Sequence, residues 1–133
     1  MDKFEVILLG IIFDPKRKKI LIARRDKDDT IPGLTWFFPG PHANQTEDID
    51  KTLKKGVKER TGYAIKNLGA IFAKTYPEKP DTIAIYFLTQ VFEGEEKPGA
   101  GIKEIKWVSP KELEKYFTTS FHKKLKKFLV ELI

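Results

Sequence analysis

The order of residues 35–63 leaves little freedom in how this chain folds. An aromatic run, Thr35-Trp36-Phe37-Phe38, reads as a strand and stops at Pro39-Gly40. A polar loop follows, Pro41-His42-Ala43-Asn44-Gln45-Thr46-Glu47, and then a helix from Asp48 to Arg60. Asp48 suits the N-cap, because its carboxylate can accept from the free N–H groups of the first turn. Gly62 supplies the residue tolerant of positive φ that a helix needs to stop. Turning the helix about 100° per residue puts Ile49, Leu53 and Val57 on one inward stripe and Lys51, Lys54, Lys55 and Lys58 on the far side. Thr52, Gly56, Glu59 and Arg60 lie along the edge beside that stripe, facing whatever the preceding loop builds.

These residues resemble the Nudix hydrolases, whose signature is G-x5-E-x7-R-E-U-x-E-E-x-G-U, with U apolar. Glu47, Val57, Glu59, Gly62 and Tyr63 match it. Pro41 stands for the glycine, Lys55 for the arginine, and Gly56 and Arg60 for two of the three helix glutamates, so the box from Gly40 to Tyr63 is degenerate. A lead-in common in the family, W-x-x-P-G-G, is similar to Trp36-Phe37-Phe38-Pro39-Gly40-Pro41, and its W-V-S-x-x-E-L to Trp107-Val108-Ser109-Pro110-Lys111-Glu112-Leu113.

From the residues alone the expectation is an α+β domain spanning 1–133, since strands and helices intermix without regular βαβ alternation. Resemblance sharpens this to an α/β/α sandwich around a mixed, largely antiparallel sheet. Phe4 to Phe13 reads as a buried strand, Asp14 to Lys19 as a turn and Ile20 to Arg25 as the returning hairpin arm. Asp26 to Pro32 reads as a loop. Tyr63 to Tyr76 and Thr82 to Phe92 form a second hairpin around Pro77 to Asp81, and Glu93 to Gly101 reads as a flexible loop. Ile102 to Val108 is a further strand. Ser109-Pro110 opens a helix with proline at its first position. A last amphipathic helix from about Ser120 turns Phe121, Leu125, Phe128 and Leu129 inward and Lys123, Lys124, Lys126 and Lys127 outward.

No apolar run approaches the roughly 20 residues of a membrane span. The first residues, Met1-Asp2-Lys3-Phe4-Glu5, lack a secretory pattern, and the chain has no cysteine, which points to the cytoplasm and rules out disulfides and thiolate metal sites. A net charge of +6, from 25 Lys+Arg against 19 Asp+Glu, favours anionic partners. Abundant Lys and Glu with a single Met also fit the composition of heat-adapted proteins, in which case the lysines simply solvate the surface.

The family resemblance implies hydrolysis of nucleoside diphosphate-linked compounds by water, with Mg²⁺ or Mn²⁺ held by helix glutamates. Hard cations need several carboxylate oxygens, and they neutralise pyrophosphate while activating water. Glu59 and Glu47 are the metal candidates. Glu59, Glu47 and Glu104 are the catalytic candidates, with Asp48, Asp50, Glu95 and Glu96 available to compensate. Arg24, Arg25, Lys55 and Arg60 are the candidates for substrate phosphates, because a guanidinium fork matches two phosphate oxygens. Gly56 deletes a ligand, and Arg60 changes the local charge by about two units, each unit pair being worth about 4 kcal/mol at 4 Å and an effective dielectric near 20. Metal binding is therefore expected to be weak. Two readings remain open: an impaired pyrophosphohydrolase, or a Nudix fold that binds a nucleotide or other phosphorylated ligand through Lys and Arg. Nucleic acid ranks behind a small molecule, resting on the charge of the last helix alone, and a homodimer is common among relatives.

Overall fold

A computed structural model describes residues 3–25, 35–117 and 121–132. The expected loop at Asp26 to Pro32 and the expected helix start at Ser120 lie outside these residues. Strand β1 (Glu5–Asp14) sits in the middle of a mixed sheet, parallel to β5 (Lys79–Gly94) and antiparallel to β2 (Lys19–Arg24). Its near-continuous apolar run follows from burial on both faces. Strand β4 (Tyr63–Tyr76) pairs antiparallel with β5 as a long hairpin that turns between Tyr76 and Lys79. On the other side, β1 takes one end of β2, the short β3 (Trp36–Phe37) takes the other, and β6 (Glu104–Val108) runs along the opposite edge.

Beyond β3 the chain continues along β1. Gly10 and Leu8 donate to the carbonyls of Pro39 and Pro41, and Ala43 donates to Val6, each at 2.8 Å. Gly40 is required by this approach, since a Cβ there would lie 1.7 Å from the Leu8 carbonyl oxygen. The loop of the box is thereby fixed to the central strand.

Helix α1 (Ile49–Thr61) covers one face, where Leu53 and Val57 pack on Leu8, Ile12, Leu21, Ile65 and Phe87. Both caps form as expected: the Asp48 carboxylate accepts from Lys51 N–H at 3.2 Å, and Gly62 takes φ 82°. Ile49 departs from the expected stripe and is 46% exposed. Helical side chains lean back over the preceding turn, and Ile49, at the first position, has none to cover. Thr52, Gly56 and Thr61 are buried in its place.

The opposite face carries a one-turn 3-10 segment (Pro110–Glu112), a short α2 (Leu113–Tyr116) and α3 (Lys123–Val130). Ser109 caps this entry, its N–H and hydroxyl both donating to Glu112 Oε1. Leu113, Leu125 and Leu129 close a core with Ile7, Leu9, Ile11 and Tyr86, and Phe121 packs against it. Phe128 does not: it is 40% exposed, because the short helix meets the sheet along Leu125 and Leu129, four residues apart. Of the flexible loop expected over Glu93 to Gly101, the first two residues belong to β5, and residues 95–101 are tied to α1. Lys97 and Gly99 donate to the carbonyls of Thr61 and Arg60 at 2.8 and 3.1 Å, so the loop satisfies the open end of α1. Among the described residues no helix is long and apolar enough to cross a membrane.

Candidate functional site

The pleat of β2, carried one residue past its last position, decides what Arg24 and Arg25 do. Successive residues point to opposite faces, and Arg24 goes toward Trp36 while Arg25 goes over the ring of Phe37, 4.8 Å from its centroid. Arg24 is tied up there. Its Nη2 and Nε lie 3.0 and 3.2 Å from Glu104 Oε1, its directly opposed neighbour on β6. Arg25 instead reaches the α1 side, close enough to Arg60 for the two charges to act on each other.

Arg60 bends back along its own helix and donates from Nη1 to the Gly56 carbonyl at 3.0 Å. Burial lowers its pKa from the ordinary arginine value, the charge of Arg25 adds to the effect, and Glu59 opposes it. The Nε atoms of Arg25 and Arg60 are both buried with no acceptor among the described residues. A buried donor left unmade costs about 1–3 kcal/mol, and more when charged. Two mutually repelling guanidiniums with open donors make a site that an anion would relieve twice, by charge and by hydrogen bonding.

The glutamates are not gathered opposite this pair. Glu47 Oε1 lies 2.9 Å from the Thr52 hydroxyl, which is equally close to the Asp48 carbonyl. Glu104 is engaged by Arg24. Glu59 is exposed and makes no ion pair or side-chain hydrogen bond with a described residue. Asp50 bonds Asn67 and Lys54, and Glu96 accepts from Trp107 Nε1 and Tyr63. Lys55 lines a groove with Lys51, Lys54 and Lys58 that neither Arg25 nor Arg60 lines.

Position 56 explains part of this. A Cβ on Gly56 would lie 2.4–2.6 Å from three atoms of the Pro41 ring. The ring fills the space from which a side chain at 56 would start, so the two departures from the family pattern are one steric arrangement. Among the described residues no group of three or more Asp, Glu or His side chains is placed to hold a metal ion. Glycine stands at 56 and arginine at 60, and Glu47 and Glu104 are hydrogen-bonded to Thr52 and Arg24. Sequence reasoning named Arg25 and Arg60 separately; their adjacency, and the Pro41–Gly56 contact, come only from the fold.

No curated protein matches the chain. Similar solved structures include a MutT structure from work on Aliivibrio salmonicida and Vibrio cholerae, with TM-score 0.69 and 20% identity over 98% of this chain and 100% of that one. The MutT protein of Methanosarcina mazei has TM-score 0.73 and 16% identity, covering 98% and 94%. An ADP-ribose pyrophosphatase of Streptococcus suis has TM-score 0.64 and 20% identity, covering 80% and 75%. At these identities the shared property is the fold. The family model described as NUDIX domain matches residues 3–129, and the chain belongs to that family.

Proposed function

We propose that this Nudix domain binds a nucleoside diphosphate-linked compound and neutralises its phosphates with Arg25 and Arg60, where Nudix hydrolases generally use divalent metals. The observation that carries the reading is the pair of buried Nε donors without acceptors among the described residues, held where two positive charges repel. A phosphate brought beside the pair would accept from guanidinium N–H groups and offset the repulsion. The lack of cysteine supports a reducing compartment such as the cytoplasm for this binding.

Calorimetric titration of ADP and ADP-ribose tests it. Arg25→Gln and Arg60→Glu should each weaken binding tenfold or more, a charged hydrogen bond being worth about 1.5–3 kcal/mol. Arg24→Gln should leave affinity within about twofold, since that side chain faces Glu104. Equal loss at Arg24 and Arg25, or none at Arg60, would remove the arginine pair from the site. A second reading is retained hydrolysis by the carboxylates Glu59, Glu47 and Glu104. It is favoured by Glu59, which matches the family's helix glutamate and is exposed, with no side chain of a described residue bonded to it.

A further inference from the structure

The outward face of α1 borders a groove of about 460 Å³ whose lining includes Asp50, Lys51, Lys54, Lys55, Lys58 and Phe92 but neither Arg25 nor Arg60. Lys54 is held by Asp50 at 2.9 Å. Lys51, Lys55 and Lys58 form no ion pair with a described residue, so three cations stand open along one side. Their positions span about 10 Å of helix at 1.5 Å per residue. That length is about three spacings of a stacked single strand at roughly 3.4 Å each, so the three lysines fall within reach of a run of four successive phosphates.

Phe92 supplies the other half of the surface. Pairing between β4 and β5 passes from Ala64↔Glu93 to Ile65↔Val91, so Phe92 is the extra residue of a β-bulge. Bulges re-aim side chains, and this one turns a phenyl ring out at the groove, 67% exposed. An aromatic ring this open, beside three lysines that no described residue pairs, is the pairing that single-stranded nucleic acids use: bases stack on the ring while the backbone follows the lysines. A second copy of the chain is disfavoured, since symmetric contact would set the same lysines against each other.

We propose that the groove between α1 and the β4–β5 hairpin binds single-stranded nucleic acid, with Phe92 stacking a base and Lys51, Lys55 and Lys58 meeting phosphates. This site is separate from the arginine pair and does not depend on the reading given to it.

Fluorescence anisotropy with a labelled ten-nucleotide oligouridine tests the proposal. Wild-type protein should bind with a log–log salt slope of about −2, the value for three phosphate contacts on a single strand. Phe92→Ala should weaken binding at least fivefold, the lower end of a lost base–aromatic stack. The double change Lys51→Glu/Lys55→Glu should abolish measurable binding. Because Phe92 and the lysines are exposed, these variants should keep the wild-type Tm, which is measured alongside. ADP in excess should fail to displace the oligonucleotide. Full affinity in Phe92→Ala, displacement by ADP, displacement by polyglutamate as effective as by unlabelled oligouridine, or a protein dimer that shields Phe92 would each overturn the proposal.

Discussion

Placing a methyl group at position 56 measures how firmly Pro41 holds the space of the missing helix carboxylate. In Gly56→Ala the new Cβ starts 2.4 Å from the Pro41 Cγ and 2.6 Å from both Cβ and Cδ. Comfortable carbon contacts are about 3.5–4.0 Å, so the ring or the helix must shift by about an ångström. Strain of this kind in a packed site costs about 1–3 kcal/mol. Alanine also gains about 1 kcal/mol over glycine within a helix. The net effect in the wild-type background is therefore a loss of about 1 kcal/mol, or about 3–5 °C in Tm for a domain this size. Pro41→Gly removes all three clashing atoms, and in that background Gly56→Ala should stabilise by about 1 kcal/mol. Urea denaturation of the four proteins, followed by circular dichroism, should give a coupling of about 2 kcal/mol. Were Gly56→Ala equally stabilising in both backgrounds, the ring would not be the obstacle. The functional corollary is that a glutamate at 56 has no room until position 41 loses its ring.

Two further outcomes follow from the charges. If hydrolysis is retained, Glu59→Gln should remove pyrophosphate cleavage in a phosphate-release assay while leaving ADP affinity nearly unchanged; undiminished turnover would exclude Glu59 from the reaction. Hydrogen bonds from Asn67 and from Lys54 lower the pKa of Asp50 below the usual 3.8. Its unfolded form therefore binds protons first on acidification, and the stability it contributes is present above pH 4 and lost as the pH falls through the folded value. Thermal melts at pH 5 and pH 3 should show a smaller acid-induced drop in Asp50→Asn than in wild type, and an equal drop would contradict the linkage.

Much of the architecture was legible because local chemistry and tertiary packing agree. Asp48 and Gly62 cap α1 as their types require, and Leu53 and Val57 bury as periodicity demands. The β1 run is apolar throughout because both sheet faces are covered. Where position along an element decided burial, pattern was insufficient, as Ile49 and Phe128 show. Segment 95–101 reads as a loop by its glycines, yet Gly99 is there to pass close over the Glu59 carbonyl, a contact with a partner forty residues away in sequence. The site was legible only as a set of residue types. Which of Arg24 and Arg25 meets the helix depends on the parity of one strand. The bulge that exposes Phe92 depends on a register shift that leaves no mark in composition. Proline at 41 and glycine at 56 each look like a loss when read singly, and only their contact makes them one change.

The central claim is that cations of the chain do the neutralising a bound metal would do. Titrating ADP into the protein in the presence of EDTA, and again with excess Mg²⁺, tests it most directly. Binding that is undiminished in EDTA and lost in Arg60→Glu is the predicted result. Binding that occurs only with Mg²⁺ and survives Arg60→Glu would contradict it.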